Sequence, residues 1–244
     1  KVMTALLVLE AVDAGKLTLD TPITATAEAL EVPEDSSVAG IQVGDTYTVE
    51  QFLYCLLLPS GNEVAQILAI TVDGSIEAFV EHMNRRAEEL GCQGTHFVNP
   101  HGYHDDNHYT TAYDITRFMK AAMEYDLFQT ILTSPNYTLP ANGVSEERII
   151  RNTNALTSNY RYPGYLYGPG TGGKTGTTVE AGNCLVETAR EGDMYLISVI
   201  LGAEEVELDN GDVDRRQFSE TIKLLDWGFD NFQRVTLSPD ETLV

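Results

Sequence analysis

The sequence predicts an α+β fold, with an antiparallel sheet flanked by helices and a mostly helical lobe at about residues 20–160. Three observations carry this expectation. Helical spacing of apolar residues dominates from Met3 to Tyr125, strand patterning is concentrated between Gly164 and Gly202, and helical spacing returns at Phe218. Helices and strands are segregated along the chain, which argues against a doubly wound parallel sheet.

In chain order, Ala5, Leu6, Leu9 and Val12 recur at helical spacing, with Gly15 as a stop, and predict a buried helix with Lys1 at its N-terminal edge. A cation there opposes the helix dipole, so Lys1 is either solvated or held by specific partners. The run enters this helix with no cap in front, which reads as the continuation of a longer chain. Residues 20–47 are rich in Thr, Pro, Gly and acidic side chains and read as an irregular or short-strand excursion. Thr48 and Gln51 form a capping-box pattern before FLYCLLL, Pro59 interrupts, and a further helix is expected just after Ser60. Ser75 caps a periodic stretch with Ile76, Phe79, Val80, Met83, Ala87 and Leu90 on one face and Gly91 as the stop. Another helix is expected from about Thr111 to Tyr125, with Ile115, Phe118, Met119 and Ala122 inward.

Asn142-Gly143 between short apolar runs suggests a hairpin within 137–150. GKTGTT, NCLVETA and MYLISVILG form three candidate strands, the last two joined at Gly192-Asp193. Phe218, Ile222, Leu225 and Phe229 mark a closing helix, and residues 234–244 read as the start of a linker or C-terminal module.

Composition narrows the function classes. With 43% hydrophobic residues in 244, the chain has enough apolar content for one large domain or a domain with an inserted lobe. Its 15 Lys and Arg against 37 Asp and Glu give a net charge of −22, which repels polyanions and argues against nucleic acid as a partner. Cys55, Cys92 and Cys184 are odd in number, widely spaced and free of CxxC, so they suggest neither a disulfide framework nor a zinc site. No run of about 18 apolar residues exists, so any membrane contact is expected only through a segment outside this chain.

Three short elements carry chemistry when read together: Lys1, Ser60-Gly61-Asn62 and Lys174-Thr175-Gly176. Serine acyl-transfer enzymes of the penicillin-recognising type carry SxxK, then SxN or a relative, then KTG, and order and spacing fit here. A serine hydroxyl is a poor nucleophile at neutral pH and needs an adjacent base. A lysine serves when burial and nearby positive charge lower its pKa.

The flanking stretches KVMTALL, LLLPSGNEVA, GTHFVNPHGY, YTTAYDI, GGKTGTT, AGNCLVETA and LLDWGF make almost the whole chain resemble the low-molecular-mass D-alanyl-D-alanine carboxypeptidases. The resemblance implies a β-lactamase/transpeptidase-like fold, with residues 1–233 as a penicillin-binding carboxypeptidase domain. It makes Lys1 the lysine of SxxK, with the nucleophilic serine three places upstream of the sequence given. By resemblance, Lys1, Ser60, Asn62 and Lys174 are catalytic. Lys1 deprotonates the serine, Ser60 relays a proton to the departing D-Ala amine, Lys174 tunes it, and Asn62 binds the substrate amide. Thr175, Gly176 and Thr177 form the substrate strand, with the Thr177 N–H in the oxyanion hole and the two threonine hydroxyls at the terminal carboxylate. Family members often carry an arginine shortly before the last helix that helps bind the substrate carboxylate; the register of RRQFSETIKLL shifts here, so Arg215 or Arg216 is expected in that role, with Arg216 preferred. Implied partners are peptidoglycan stem peptides and β-lactam antibiotics, no cofactor is implied, and the implied location is the cell envelope outside the cytoplasm, with membrane association in the full-length protein.

Two enzymatic or binding rivals share these motifs. A class A-like β-lactamase needs a deacylating glutamate, and no EPELN-like segment lies between SGN and KTG. A non-catalytic peptidoglycan-binding homologue would lack the serine, yet SGN and KTG are intact. His101, His104 and His108 with Asp105 and Asp106 lack any helical metal-ligand spacing, so no metal is assigned. His96 and His101 are expected to anchor loops, and His104 and His108 to face solvent.

Overall fold

The computed structural model describes residues 1–235. Helix α1 (Val2–Asp13) is hydrophobic on every side, and Val2 through Leu9 and Ala11 are all buried. Such a helix belongs in a protein interior. It packs against α2 (Val49–Leu57), α3 (Asn62–Asp73), α4 (Ile76–Glu89) and α5 (Ala112–Ala122), which makes it the centre of the helical core. The excursion before α2 carries strands β1 (Pro22–Thr24) and β2 (Thr46–Thr48), paired antiparallel, and a short 3-10 turn over Glu28–Leu30.

Local signals account for most helix starts. The Thr48 hydroxyl accepts the Gln51 N–H at 3.2 Å while the Gln51 side chain accepts the Thr48 N–H at 2.9 Å, the reciprocal capping box that the sequence predicts. Ser75 caps α4 and Thr111 caps α5 in the same one-sided way. Helix α5 stops at Ala122, and a separate helix α6 (Asp126–Thr133) follows, which the periodicity did not predict. Its N-cap is Tyr125, whose side chain makes no capping hydrogen bond, so the usual start signal is missing.

Strands β3 (Asn136–Leu139) and β4 (Arg148–Arg151) form the expected hairpin, closed by a loop in which the Asn142 side chain accepts the N–H groups of Val144 and Ser145. Strands β5 (Gly170–Thr178), β6 (Gly182–Glu191) and β7 (Met194–Ala203) then form an antiparallel sheet in that order. On one face Val186, Ile197 and Val199 join the helical core, and α5 and α6 pack there. On the other, Leu185 packs with Phe218 of α7 (Arg216–Asn231). A small ribbon of β8 (Glu205–Glu207) and β9 (Val213–Arg215), also unpredicted, leads into α7. The architecture is α+β, with the sheet between α7 and the helical core. Among the described residues no helix is long and apolar enough to cross a membrane. The expected linker at 234–244 lies almost wholly outside the described residues.

Candidate active site

The edge of β5 left unpaired among the described residues, the N-terminal end of α1 and the turn between α2 and α3 converge on an open cleft of about 600 Å3. Lys1, Ser60, Asn62, Lys174, Thr175, Gly176 and Thr177 all line it, although they come from three distant parts of the chain. Across the mouth lie the loop Asp35–Ser37 and the segment His101–His104, linked by a hydrogen bond from the Tyr103 hydroxyl to Asp35 at 2.8 Å.

The Lys1 ammonium donates to Asn62 Oδ1 at 2.6 Å and to the His101 carbonyl at 2.7 Å. Lys1 is therefore held by specific partners, not solvated. Burial and the nearby positive charge of Lys174 hold its pKa well below the ordinary lysine range, with Glu63 opposing them. Lys174 is 7% exposed, donates to the Thr175 carbonyl at 2.9 Å, and is pushed down to about 8 by burial. A lysine so depressed is poised to exchange a proton near neutral pH.

Ser60 is the one non-glycine residue with a left-handed backbone among those described, at φ 66°. Such a conformation costs roughly 1–2 kcal/mol and persists where surroundings over-determine it. Here the Gly61 N–H bonds to the Cys55 carbonyl at 3.1 Å, and the Asn62 N–H bonds to the Ser37 carbonyl at 2.8 Å. Gly61 has no room for a side chain, since a Cβ would lie 2.9 Å from Val64 Cγ2 and 3.1 Å from the Cys55 oxygen. The turn is thereby forced to present Ser60 to the cleft and to bury Asn62.

Glu63 had no role in the sequence reading. Buried at 3% exposure, its Oε1 accepts the N–H groups of Ala39, Gly40 and Ile41 at 2.7, 3.1 and 3.4 Å. Burial outweighs these bonds and raises its pKa. It anchors the loop beside Asp35–Ser37, and its signal in the sequence was a lone charge inside the apolar run NEVAQILA. His101 also does more than anchor a loop, because its carbonyl holds Lys1; burial and the Lys1 charge push its ring down to about 4. His96 does anchor, with Nδ1 2.6 Å from the Asn107 carbonyl. His108 departs from the solvent-facing expectation. It is half-buried, its Nδ1 accepts the Val98 N–H at 3.2 Å, and its ring meets Phe97 edge-on.

Arg216 is not brought to the cleft. It opens α7 and is exposed, because the face of α7 turned to the sheet is carried by Gln217, Phe218, Thr221, Leu225 and Gly228. Arg215 is turned instead to Glu205 at 3.2 Å and lies over the Tyr162 ring at 3.9 Å. Of the cleft threonines, Thr177 donates to Asn183 Oδ1 at 3.1 Å, and the Thr175 hydroxyl lies 2.6 Å from that of Thr153.

Comparison with known proteins gives concordant matches. A family model described as D-alanyl-D-alanine carboxypeptidase matches residues 1–205. The D-alanyl-D-alanine carboxypeptidase DacF of Bacillus subtilis is 32% identical over 238 residues, 96% of this chain and 55% of that protein. DacC of Escherichia coli is 34% identical over 249 residues, 100% of this chain and 58% of that protein. The chain thus spans little more than half the length of these two relatives. Among solved structures, the Streptomyces K15 DD-transpeptidase aligns with a TM-score of 0.80 and 29% identity, covering 94% of this chain and 85% of that one. A D-alanyl-D-alanine carboxypeptidase from Mycobacterium tuberculosis aligns with a TM-score of 0.75 and 29% identity, over 99% of this chain and 83% of that one.

Proposed function

The chain belongs to the D-alanyl-D-alanine carboxypeptidase family, and on that premise we propose that residues 1–233 are the catalytic domain of a serine-type peptidase that removes the terminal D-Ala from peptidoglycan stem pentapeptides. One observation carries this reading: the Lys1 ammonium is held at 2.6 Å by Asn62 inside a cleft shared with Ser60 and Lys174. In this reading the nucleophile is the serine of an SxxK motif, three residues before Lys1, and so on the same side of a helix.

Lys1 in its neutral amine form, which its depressed pKa favours, takes the serine proton as the hydroxyl attacks the penultimate D-Ala carbonyl. The C–N bond to the terminal D-Ala then breaks, Ser60 relays a proton to the departing amine, and an acyl ester remains for water to hydrolyse. Asn62 binds the substrate amide. Among the described residues no strand pairs with β5 on its cleft side, so an extended peptide can lie along it with the Thr177 N–H at the oxyanion. Lys174 supplies positive charge at the terminal carboxylate, beside the hydroxyls of Thr175 and Thr177. β-Lactams acylate the same serine. The substrate sets the location outside the cytoplasmic membrane, with any membrane anchor contributed by other segments of the protein.

The full-length protein should release D-Ala from a peptide ending in D-Ala-D-Ala and label covalently with fluorescent penicillin. A folded sample doing neither sinks the proposal. Lys174→Ala should slow acylation by about 100-fold or more with an unchanged melting temperature. Unimpaired acylation would remove β5 from the site.

A further inference from the structure

The Asn152–Asn154 segment has no part in the mechanism above, yet it touches both walls of the cleft. The Thr153 N–H donates to the Leu58 carbonyl at 3.2 Å, just before the Pro59-Ser60 turn, and the Thr153 hydroxyl lies 2.6 Å from that of Thr175 on β5. The residues on either side are buried and tied down. Asn152 Nδ2 donates to the Leu132 and Ser134 carbonyls at 3.1 and 3.0 Å. Asn154 Nδ2 donates at 2.7 Å to Glu187 Oε2, a carboxylate with no exposure whose Oε1 accepts the Gly172 N–H at 3.2 Å. Residue 173 has to be glycine for Glu187 to fit, since a Cβ there would collide with the carboxylate. Asn152 Oδ1 accepts the Asn154 N–H at 2.9 Å and Asn154 Oδ1 accepts the Leu156 N–H at 3.1 Å, which fixes the backbone on which Thr153 rides.

We propose that Thr153 is a positioning residue for substrate recognition: held by Asn152, Asn154 and the Glu187 carboxylate beneath, it donates to the Thr175 hydroxyl so that Thr175 presents its own proton to the carboxylate of the substrate. A hydroxyl has one proton to give. If Thr175 donated to Thr153, it would face the cleft with lone pairs alone and repel an anion; the opposite direction makes a donor chain that an anion reinforces. No other hydrogen bond involves the Thr153 hydroxyl among the described residues, so its proton has no competing acceptor there.

The inference rests on the reading of Thr175 as a carboxylate ligand, and the test separates the two. Hydrolysis of a peptide ending in D-Ala-D-Ala is compared with that of its C-terminal amide in the full-length protein. Thr153→Val, which keeps shape and loses the hydroxyl, is expected to lower kcat/KM about tenfold for the free acid, chiefly through KM, and to leave the amide within twofold. Thr153→Ala should repeat this pattern should the valine variant fold poorly, and Thr153→Ser should return to within about threefold of the parent. Thr175→Val reports on the underlying reading. If it impairs the free acid while the hydroxyl-free Thr153 variants do not, or impair acid and amide alike, the inference is overturned and the reading of Thr175 stands. If Thr175→Val is itself silent, both are overturned.

Discussion

On one wall of the cleft, the turn from Leu58 to Asn62 and the loop from Ser37 to Ile41 take their shape from a few individual hydrogen bonds: Asn62 N–H to Ser37, Gly61 N–H to Cys55, and three N–H groups converging on Glu63. On the other wall, β5 is fixed by register with β6 from Gly170 to Thr178. A ladder spreads its hold over many equivalent bonds, whereas the turn concentrates it in a few side chains. The first wall is therefore vulnerable at its anchors, and the second at whatever charge is buried against it.

That contrast breaks most visibly at Glu187, the buried acid behind the regular wall. Burial outweighs its two hydrogen-bond donors and pushes its pKa up to about 8, against an ordinary 4.5. An acid whose folded pKa is raised binds a proton more tightly when folded. Its contribution to stability is fully present below about pH 4.5 and is lost as pH climbs to about 8. A shift of that size corresponds to at most roughly 4–5 kcal/mol. Glu187→Gln should remove this dependence, so the variant gains on the parent steadily between pH 5 and 8.5 in urea unfolding. Parallel pH profiles for the two proteins would show that the carboxylate is ionised throughout.

Glu63→Ala should come next, at a loss of about 2–4 kcal/mol, because three N–H groups lose their acceptor in a buried setting. Glu63→Gln keeps an acceptor and should lose less than half as much. An alanine variant within about 0.5 kcal/mol of the parent would mean the loop holds itself. The smallest effect is expected at Ser60. Glycine there relieves the left-handed strain but adds freedom to the unfolded chain, for a net gain of roughly 0.5 kcal/mol. Acyl transfer should nonetheless fall with the lost hydroxyl. A clear loss of stability would show the hydroxyl, and not the backbone, to be what the turn requires.

Much of this structure was legible because its causes are local. The Thr48–Gln51 box, the caps at Ser75 and Thr111 and the Gly192-Asp193 connection each write their geometry into neighbouring residues. The cleft residues from Lys1 to Thr177 were legible as motifs, and they do come together. What escaped was determined at a distance. Helix α6 starts without a cap, and β8 and β9 are each three residues long, too short for a period to show. Glu63, Glu187 and Thr153 take their significance from hydrogen-bond partners 15 or more positions away, and nothing in the adjoining sequence names those partners. Arg216 illustrates the converse. The resemblance suggested an arginine role just before the last helix, but the helical phase of α7 decides where Arg216 points.

The burial of α1 has a consequence in time as well as in space. The amides of Ala5 through Leu9 are buried beneath the packing of α2, α3, α4 and α5, and hydrogen exchange should find them opening only with the core as a whole. Lys1 sits at the head of that buried helix. The rim is tied to the same core, since the Lys1 Nζ bonds to the His101 carbonyl at 2.7 Å and the Asn62 N–H to the Ser37 carbonyl at 2.8 Å.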